Sequence, residues 1–199
     1  MTMTSDRLPI VIPADWVPGP EQGEWTYKQY AALPNDGKRY EIVNGVLYMT
    51  PAPNIAHQDA VFEIASYIRA YVKVVNLGRV FIAPVDVELT PNMVVQPDVF
   101  VILNANHDKI KENRIIGAPD LIVEVVSPGT AIYDRHEKYN AYAYAGVQEY
   151  WIADPGTRTV EVLVLESGKY HSRGVFRGQA LLPSQVLPTF SAHVEQFFS

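Results

Sequence analysis

The 199-residue chain has no cysteine. That excludes disulfides, thiolate metal sites and a Cys nucleophile, and is compatible with a reducing compartment. Charge is sparse as well. Charged residues make up 19% of the chain, and acids outnumber Lys and Arg to give a formal net charge of −6. Phosphate contacts normally need a basic footprint, so this balance argues against broad, tight, non-specific binding to nucleic acid. It leaves room for local basic patches and for a metal-dependent site, which concentrates carboxylates. No apolar run approaches the length of a membrane span, and the N-terminus lacks a basic region followed by an apolar core. The expectation is a cytoplasmic protein with no membrane partner. With 48% apolar residues, the chain is long enough for one sizeable core.

Four prolines at 9, 13, 18 and 20 suggest that residues 1–22 form an arm or loose lead-in to a single domain over 23–199. Thr26 caps a short expected helix that stops before Pro34. Residues 39–43 and 46–49 flank Asn44-Gly45, a strong two-residue hairpin signal that sets Glu41 opposite Tyr48. Asn54 can cap a long helix to about Val75, whose apolar stripe runs through Ala60, Ile64, Ile68 and Val72, with His57 at its N-terminal end. Two strands are expected over 80–89 and 94–103, then a polar, turn-rich loop over 104–119. A further strand follows at 121–126 and a helix opening at Thr130 or Asp134, closed by Gly146. A strand at 150–153, a hairpin around Ser167-Gly168 and a short amphipathic helix over 191–198 complete the chain. This order predicts an α/β (α+β) fold with a mixed central β-sheet flanked by helices, in which 121–126, 131–145 and 149–153 form a crossover unit.

The chemistry centres on Leu121-Ile122-Val123-Glu124-Val125-Val126, a β-branched apolar run with a carboxylate in its middle. An ionised Glu buried alone is expensive, so it neutralises, pairs or binds a metal. A core Arg or Lys partner, or a solvated strand end, would explain it without function. Strand alternation places Ile122, Glu124 and Val126 on one face, and Gln96, Asp98 and Phe100 on one face of their strand. If the two strands neighbour each other, Asp98 and Glu124 converge, and two carboxylates together call for a cation. Oxygen-only ligation suits Mg²⁺ or Mn²⁺. Pro97-Asp98 read alone merely begins a strand. Helical register puts Asp134, Lys138 and Tyr142 on one face, where Lys138 is either a third site residue or the i,i+4 partner of Asp134. Glu41 is open to pairing with Arg39, His57 to a core role, Gln96 to lining the pocket, and Tyr150 and Trp151 to the core.

Pro97-Asp98 followed by Glu124-x-Val126 resembles the PD-(D/E)XK nuclease superfamily, in which Lys stands two residues after the second acid. Here Val126 holds that place. The run 121–128, followed by Tyr133-Asp134-Arg135-x-x-Lys138 and Gly146-Val147-x-Glu149-Tyr150-Trp151, is similar to the bacterial Uma-type restriction endonuclease branch. In that branch the Lys has moved to the next helix. The resemblance spans roughly residues 25–198 and implies a restriction-endonuclease-like core. It implies Asp98 and Glu124 as metal ligands, the Val125 carbonyl as a further one, Glu41 completing the site, and Lys138 in the migrated role. It also implies Mg²⁺ or Mn²⁺ as cofactor, hydrolysis of DNA phosphodiester bonds, and a homodimer. The alternative is a catalytically inactive nuclease-fold protein that binds nucleic acid or a protein partner. Lys138 discriminates: beside the acids in the enzyme, turned to solvent otherwise.

Overall fold

Asn44 and Gly45 close the first hairpin with left-handed backbone at both positions (φ 52° and 74°) in the computed structural model, which describes residues 10–198. Mirror-image turns of this kind match the twist of the strands they join. The hairpin pairs β2 (Arg39–Val43) with β3 (Val46–Thr50), Glu41 opposite Tyr48. A short β1 (Ile12–Pro13) lies along the far side of β3, and Ala14 beyond it is buried. These residues fall within the expected lead-in; residues 1–9 of it lie outside the described residues. α1 spans Tyr27–Tyr30, shorter than expected.

α2 (Ile55–Val74) begins where its cap predicts: the Asn54 side chain accepts from the His57 N–H at 2.8 Å. Its buried residues are His57, Ala60, Val61, Ile64, Ile68 and Val72, the i, i+3, i+4 stripe.

The two long strands expected over 80–89 and 94–103 are each broken in two. They form β4 (Gly78–Ile82), β5 (Val87–Thr90), β6 (Met93–Val95) and β7 (Val99–Leu103). The breaks contain Pro84 and Pro97. Proline has no N–H to donate to a ladder, so both arms of this long hairpin leave one sheet and enter another. β5 and β6 join a sheet ordered β1-β3-β2-β6-β5-β8, with β8 at Ile115–Ile116. β4 and β7 join a sheet of β9 (Leu121–Val125), β10 (Glu149–Asp154), β11 (Thr159–Glu166) and β12 (Lys169–Arg177), in the order β12-β11-β10-β9-β7-β4. β9 runs parallel to β10, as a crossover unit requires, and antiparallel to β7. This second sheet is the expected mixed central sheet, and the first lies against it.

The crossover helix is continuous from α3 (Ala131–Tyr133) through a π-turn (Asp134–Lys138) into α4 (Tyr139–Ala145). Gly146 ends it at φ 86°, as read from the sequence. The loop 104–119 contains a 3₁₀ turn (Asn104–Lys109) as well as β8, and the expected C-terminal α-helix is a 3₁₀ turn, Val194–Phe197. Val194 and Phe197 are still buried, so the apolar spacing located the packing and not the helix type. No described helix is long and apolar enough to cross a membrane.

Alternation divides the core. Val99, Val101, Leu121, Val123, Val125 and Trp151 face α2 and the C-terminal segment. Phe100, Ile102, Ile122, Tyr150 and Ile152 face Val43, Val87, Met93 and Val95 of the other sheet and Tyr133, Ala141 and Tyr142 of the helix. Each fully buried aliphatic or aromatic side chain contributes about 1.5–3 kcal/mol, so this packing fixes how the two sheets and the helix meet. Glu124 belongs by parity to the face where all three converge.

The hairpin turn is also held from outside. Gly23 N–H and Trp25 N–H donate to the Gly45 carbonyl, and Gly45 N–H donates to the Asn92 carbonyl. A Cβ at position 45 would fall 2.1 Å from the Gly23 carbonyl oxygen. Gly45→Ala is therefore expected to cost about 1–3 kcal/mol from backbone strain alone, read as a lowered urea midpoint. An unchanged midpoint would show that neither the left-handed backbone nor the close approach of Gly23 constrains position 45.

Candidate active site

Eight charged or His side chains are buried among the described residues: Glu41, His57, Asp98, Asp120, Glu124, Asp134, Lys138 and Glu149. Two have plain structural partners. Asp120 accepts from Leu103 N–H and Asn106 Nδ2, and Glu149 accepts from Gln185 N–H, Val186 N–H and Trp151 Nε1. The other six line one cavity of about 40 Å³, room for roughly two or three water molecules.

Each reaches the cavity from a different element. Glu41 points inward from β2, on the face shared with Val43. Asp98 sits at the chain's crossing between sheets, just before β7. Glu124 comes from β9, Asp134 and Lys138 from the π-turn, and His57 from the first turn of α2. π-Turns inside α-helices occur frequently at functional sites. Here Tyr150 Oη donates to the Asp134 carbonyl within that turn at 3.1 Å.

Lys138 is 5% exposed and does not turn to solvent. Its Nζ lies 2.9 Å from Glu124 Oε1, 3.1 Å from Glu41 Oε1 and 3.7 Å from Asp134 Oδ1. The i,i+4 pair with Asp134 thus exists and is the longest of the three. Tyr142 Oη donates to Glu124 Oε1 at 2.5 Å. Asp98 Oδ2 takes two donors, His57 Nε2 at 3.0 Å and the Val125 N–H at 2.9 Å. Glu41 Oε1 also accepts the Gln96 N–H at 2.8 Å. The sequence-derived set Glu41, Asp98, Glu124, Val125 and Lys138 is thereby brought together around one cavity.

Four carboxylates face one ammonium and one imidazole, and the proton equilibria follow. Burial pushes the Glu124 carboxyl well above the ordinary value; Lys138 opposes this, while Asp98, Asp134 and Glu41 add to it. Burial likewise raises Asp134 to about 6. For Asp98 burial also acts upward, but the His57 hydrogen bond, with the charges of His57 and Lys138, outweighs it and holds that carboxyl low. Burial alone would discharge Lys138; Glu124, Glu41, Asp134 and Asp98 outweigh it and keep the ammonium charged.

Three buried polar atoms in the cavity wall have no hydrogen-bond partner: Glu41 Oε2, His57 Nδ1 and Tyr133 Oη. An orphaned buried acceptor costs about 1–3 kcal/mol, which a water or cation in the cavity would recover. Among the described residues no three acid or His side chains stand preset as a metal cage. The Lys138 ammonium lies between Glu41 and Glu124, where it serves those oxygens as a metal ion would. The donor set itself, carboxylate oxygens with one unsatisfied, fits a hard divalent ion.

A family model, Uma2, described as "Putative restriction endonuclease", matches residues 27–195. The chain belongs to the Uma2 family. Its fold is shared with a "putative nuclease belonging to DUF820" from Anabaena variabilis ATCC 29413. That crystal structure aligns with a TM-score of 0.70 over 87% of this chain and 97% of its own, at 23% identity. No curated protein matches the chain. The restriction-endonuclease-like core inferred from Pro97-Asp98, Glu124 and the following helix is thus the observed one. Val126, in the usual Lys place, is 5% exposed and packs with Tyr133 and Tyr142 in the core.

Sequence reasoning favoured a core role for His57, and the structure gives it a direct bond to Asp98. Its place three residues after the Asn54 cap, at the mouth end of the α2 stripe, was the available signal. Gln96 does line the cavity. Tyr133 gave no signal beyond an aromatic at a helix start. Tyr150 and Trp151 are fully buried, as core residues.

Two expectations follow from the charge balance. Lys138→Met removes the only buried ammonium of the cluster and leaves four carboxylates facing each other, so metal-free stability at pH 8 should fall by about 3–5 kcal/mol. The loss should shrink toward pH 5, where Glu124 and Asp134 can take up protons; equal loss at both pH values would mean that the acids do not feel Lys138. Asp134 supplies the second. Its folded pKa of about 6 lies above its unfolded value, so its favourable contribution is full below about pH 4 and is lost as pH rises through 6. Asp134→Asn should remove that fall, shifting the variant-minus-parent stability by up to about 3 kcal/mol in the variant's favour between pH 4 and pH 7.5. Urea unfolding in EDTA reads it, and a pH-independent difference would refute it.

Proposed function

We propose that the protein is an endonuclease that hydrolyses DNA phosphodiester bonds with Mg²⁺ or Mn²⁺, through Glu41, Asp98, Glu124 and Lys138. The observation that carries this reading is the buried Lys138 ammonium, 2.9 Å from Glu124 and 3.1 Å from Glu41, delivered by a helix to the place that Val126 cannot serve. A solvent-facing Lys138 would have favoured a binding protein instead.

Glu41, Asp98 and Glu124 would hold the ion, with the Val125 carbonyl as a further oxygen. When bound, such an ion polarises a phosphoryl oxygen and lowers the pKa of a water. The remaining work falls to the chain's own groups. His57 Nε2 and the Val125 N–H both act on Asp98 Oδ2 and fix that carboxylate's orientation. Tyr142 Oη and Lys138 Nζ do the same for Glu124. Lys138 Nζ, held beside Glu41 and Glu124, would orient the attacking water or offset charge developing on the phosphoryl oxygens. The site's acids and Lys138 are almost wholly buried, and low exposure strengthens each of these interactions. A homodimer belongs to the same reading and would show as twice the chain mass in sedimentation equilibrium.

Incubating supercoiled and linear DNA with the protein in Mg²⁺, Mn²⁺ or EDTA tests the proposal. Cleavage should require the metal, and Asp98→Asn and Lys138→Met should each slow it at least ~100-fold. A parent that binds DNA but cuts in neither metal would instead be the catalytically inactive nuclease-fold protein.

A further inference from the structure

Two of the side chains lining the cavity are Lys or Arg: Lys138 and Arg39. Lys138 is engaged with three carboxylates. Arg39 is engaged with none: among the described residues no acid lies within ion-pair distance of it, and its only hydrogen bonds go to a neutral partner. Its Nε donates to Gln96 Oε1 and one terminal nitrogen, Nη2, donates to the Gln96 carbonyl, both at 3.3 Å. The other terminal nitrogen, Nη1, has no acceptor among the described residues. The side chain is half-buried, and two-residue alternation along β2 puts it on the same inward face as Glu41.

The guanidinium is also held in place. Gln96 Nε2 donates to Asp86 Oδ1 at 2.9 Å and to Tyr30 Oη at 3.2 Å, and Tyr30 Oη donates to the same Asp86 oxygen at 2.8 Å. With its amide nitrogen so committed, Gln96 must present Oε1 to Arg39. Gln96 N–H in turn donates to Glu41 Oε1. Arg39, Gln96 and Glu41 therefore form one connected unit. A half-buried Arg is ordinarily neutralised by an acid, and four acids stand nearby, yet this one is braced by an amide and left uncommitted toward the cavity.

We infer that Arg39 is the phosphate anchor of this site, receiving a backbone phosphate of the nucleic acid next to the one at the carboxylates. The inference rests on the nuclease reading for its ligand. Its physical reason is local: a cluster with more carboxylates than cations repels an incoming phosphodiester, so a cation that the acids have not already consumed is required at the entrance. A guanidinium suits that task because its free edge offers parallel N–H donors that match two phosphate oxygens, whereas Lys offers a point charge. Arg39 touches substrate in this account and leaves the acids to the reacting phosphate.

The full chain, with Arg39→Met, Arg39→Lys and Lys38→Met, tests this. Lys38 is its exposed neighbour, paired with Asp36 outside the cavity, and controls for lost net charge. Binding of a short fluorescent DNA duplex is measured in Ca²⁺ over a range of salt, and kcat and KM for cleavage in Mg²⁺ or Mn²⁺. Arg39→Met should weaken binding about tenfold, lower the slope of log affinity against log salt by about one, and raise KM more than it lowers kcat. Lys38→Met should leave all three near the parent. Arg39→Lys should keep the slope and lose several-fold in affinity; it also decides the matter if Arg39→Met does not fold, since Lys matching the parent in affinity overturns a guanidinium anchor. Parent-like affinity and slope in Arg39→Met overturn the anchor while leaving the nuclease reading intact. Arg39-dependent binding without cleavage in any metal overturns the nuclease reading and supports the anchor. A parent that neither binds nor cuts overturns both.

Discussion

The structure turns on a buried ammonium among four carboxylates. Lys138 is the single charge that makes Glu41 and Glu124 tolerable at almost no exposure, and it reaches Asp134 as well. These partners come from three different layers: β2 of one sheet, β9 of the other, and the crossover helix. The ion cluster is therefore also the point at which the two sheets and the helix are registered to one another. Apolar burial supplies most of the stability around it, but apolar contacts tolerate small slides, whereas a 2.9 Å ion pair does not. The cluster is not fully neutralised. Burial and the neighbouring acids push the Glu124 and Asp134 carboxyls upward as the expression of that imbalance, and a site built in this way is poised for additional positive charge.

The position of Asp98 follows from a backbone constraint. The hairpin of residues 78–103 cannot continue through Pro84 and Pro97, so it turns a corner between sheets, and the acid falls at the corner. There its side chain has the Val125 N–H on one side and His57 on the other. A corner between packed sheets is also where space remains, since neither sheet's side chains fill it, and the small, polar-lined cavity lies here. Sites at sheet corners and switch points recur for this reason: the strand that leaves one ladder exposes polar groups that nothing in the sheet can satisfy.

The surface around this cavity carries its own logic. An acidic protein with few cations has to place them, and the two at the cavity have been placed with opposite commitments. Lys138 is consumed by carboxylates. Arg39 is held by Gln96, whose amide is fixed by Asp86 and Tyr30, and keeps part of its donor edge open. The net charge of −6 thus says less about nucleic-acid contact than the distribution of a few guanidinium and ammonium groups does.

Much of this was legible in the sequence. Asn44-Gly45, the Asn54 cap, the α2 stripe and Gly146 each specify local geometry through short-range chemistry, and each holds. Strand alternation put Glu124 and Val126 on one face and Asp98 with Gln96 on another; helical register grouped Asp134, Lys138 and Tyr142. The order of these residues was enough to identify the fold. What stayed hidden is non-local. The division of residues 78–103 between two sheets depends on which edge each half meets after a proline, and no property of Pro84 or Pro97 says which edge that is. The C-terminal turn is 3₁₀ although Val194 and Phe197 keep the buried spacing that an α-helix would also give. His57 bonds Asp98, and Arg39 is braced by Gln96 rather than neutralised by Glu41, because separate segments arrive at one corner. Local sequence determined which side chains face inward; only the tertiary structure decided which of them meet, since partners such as Glu124 and Lys138, 14 residues apart, and Arg39 and Gln96, 57 apart, and the still more distant Glu41 and Lys138 are brought together by packing and not by any pattern along the chain.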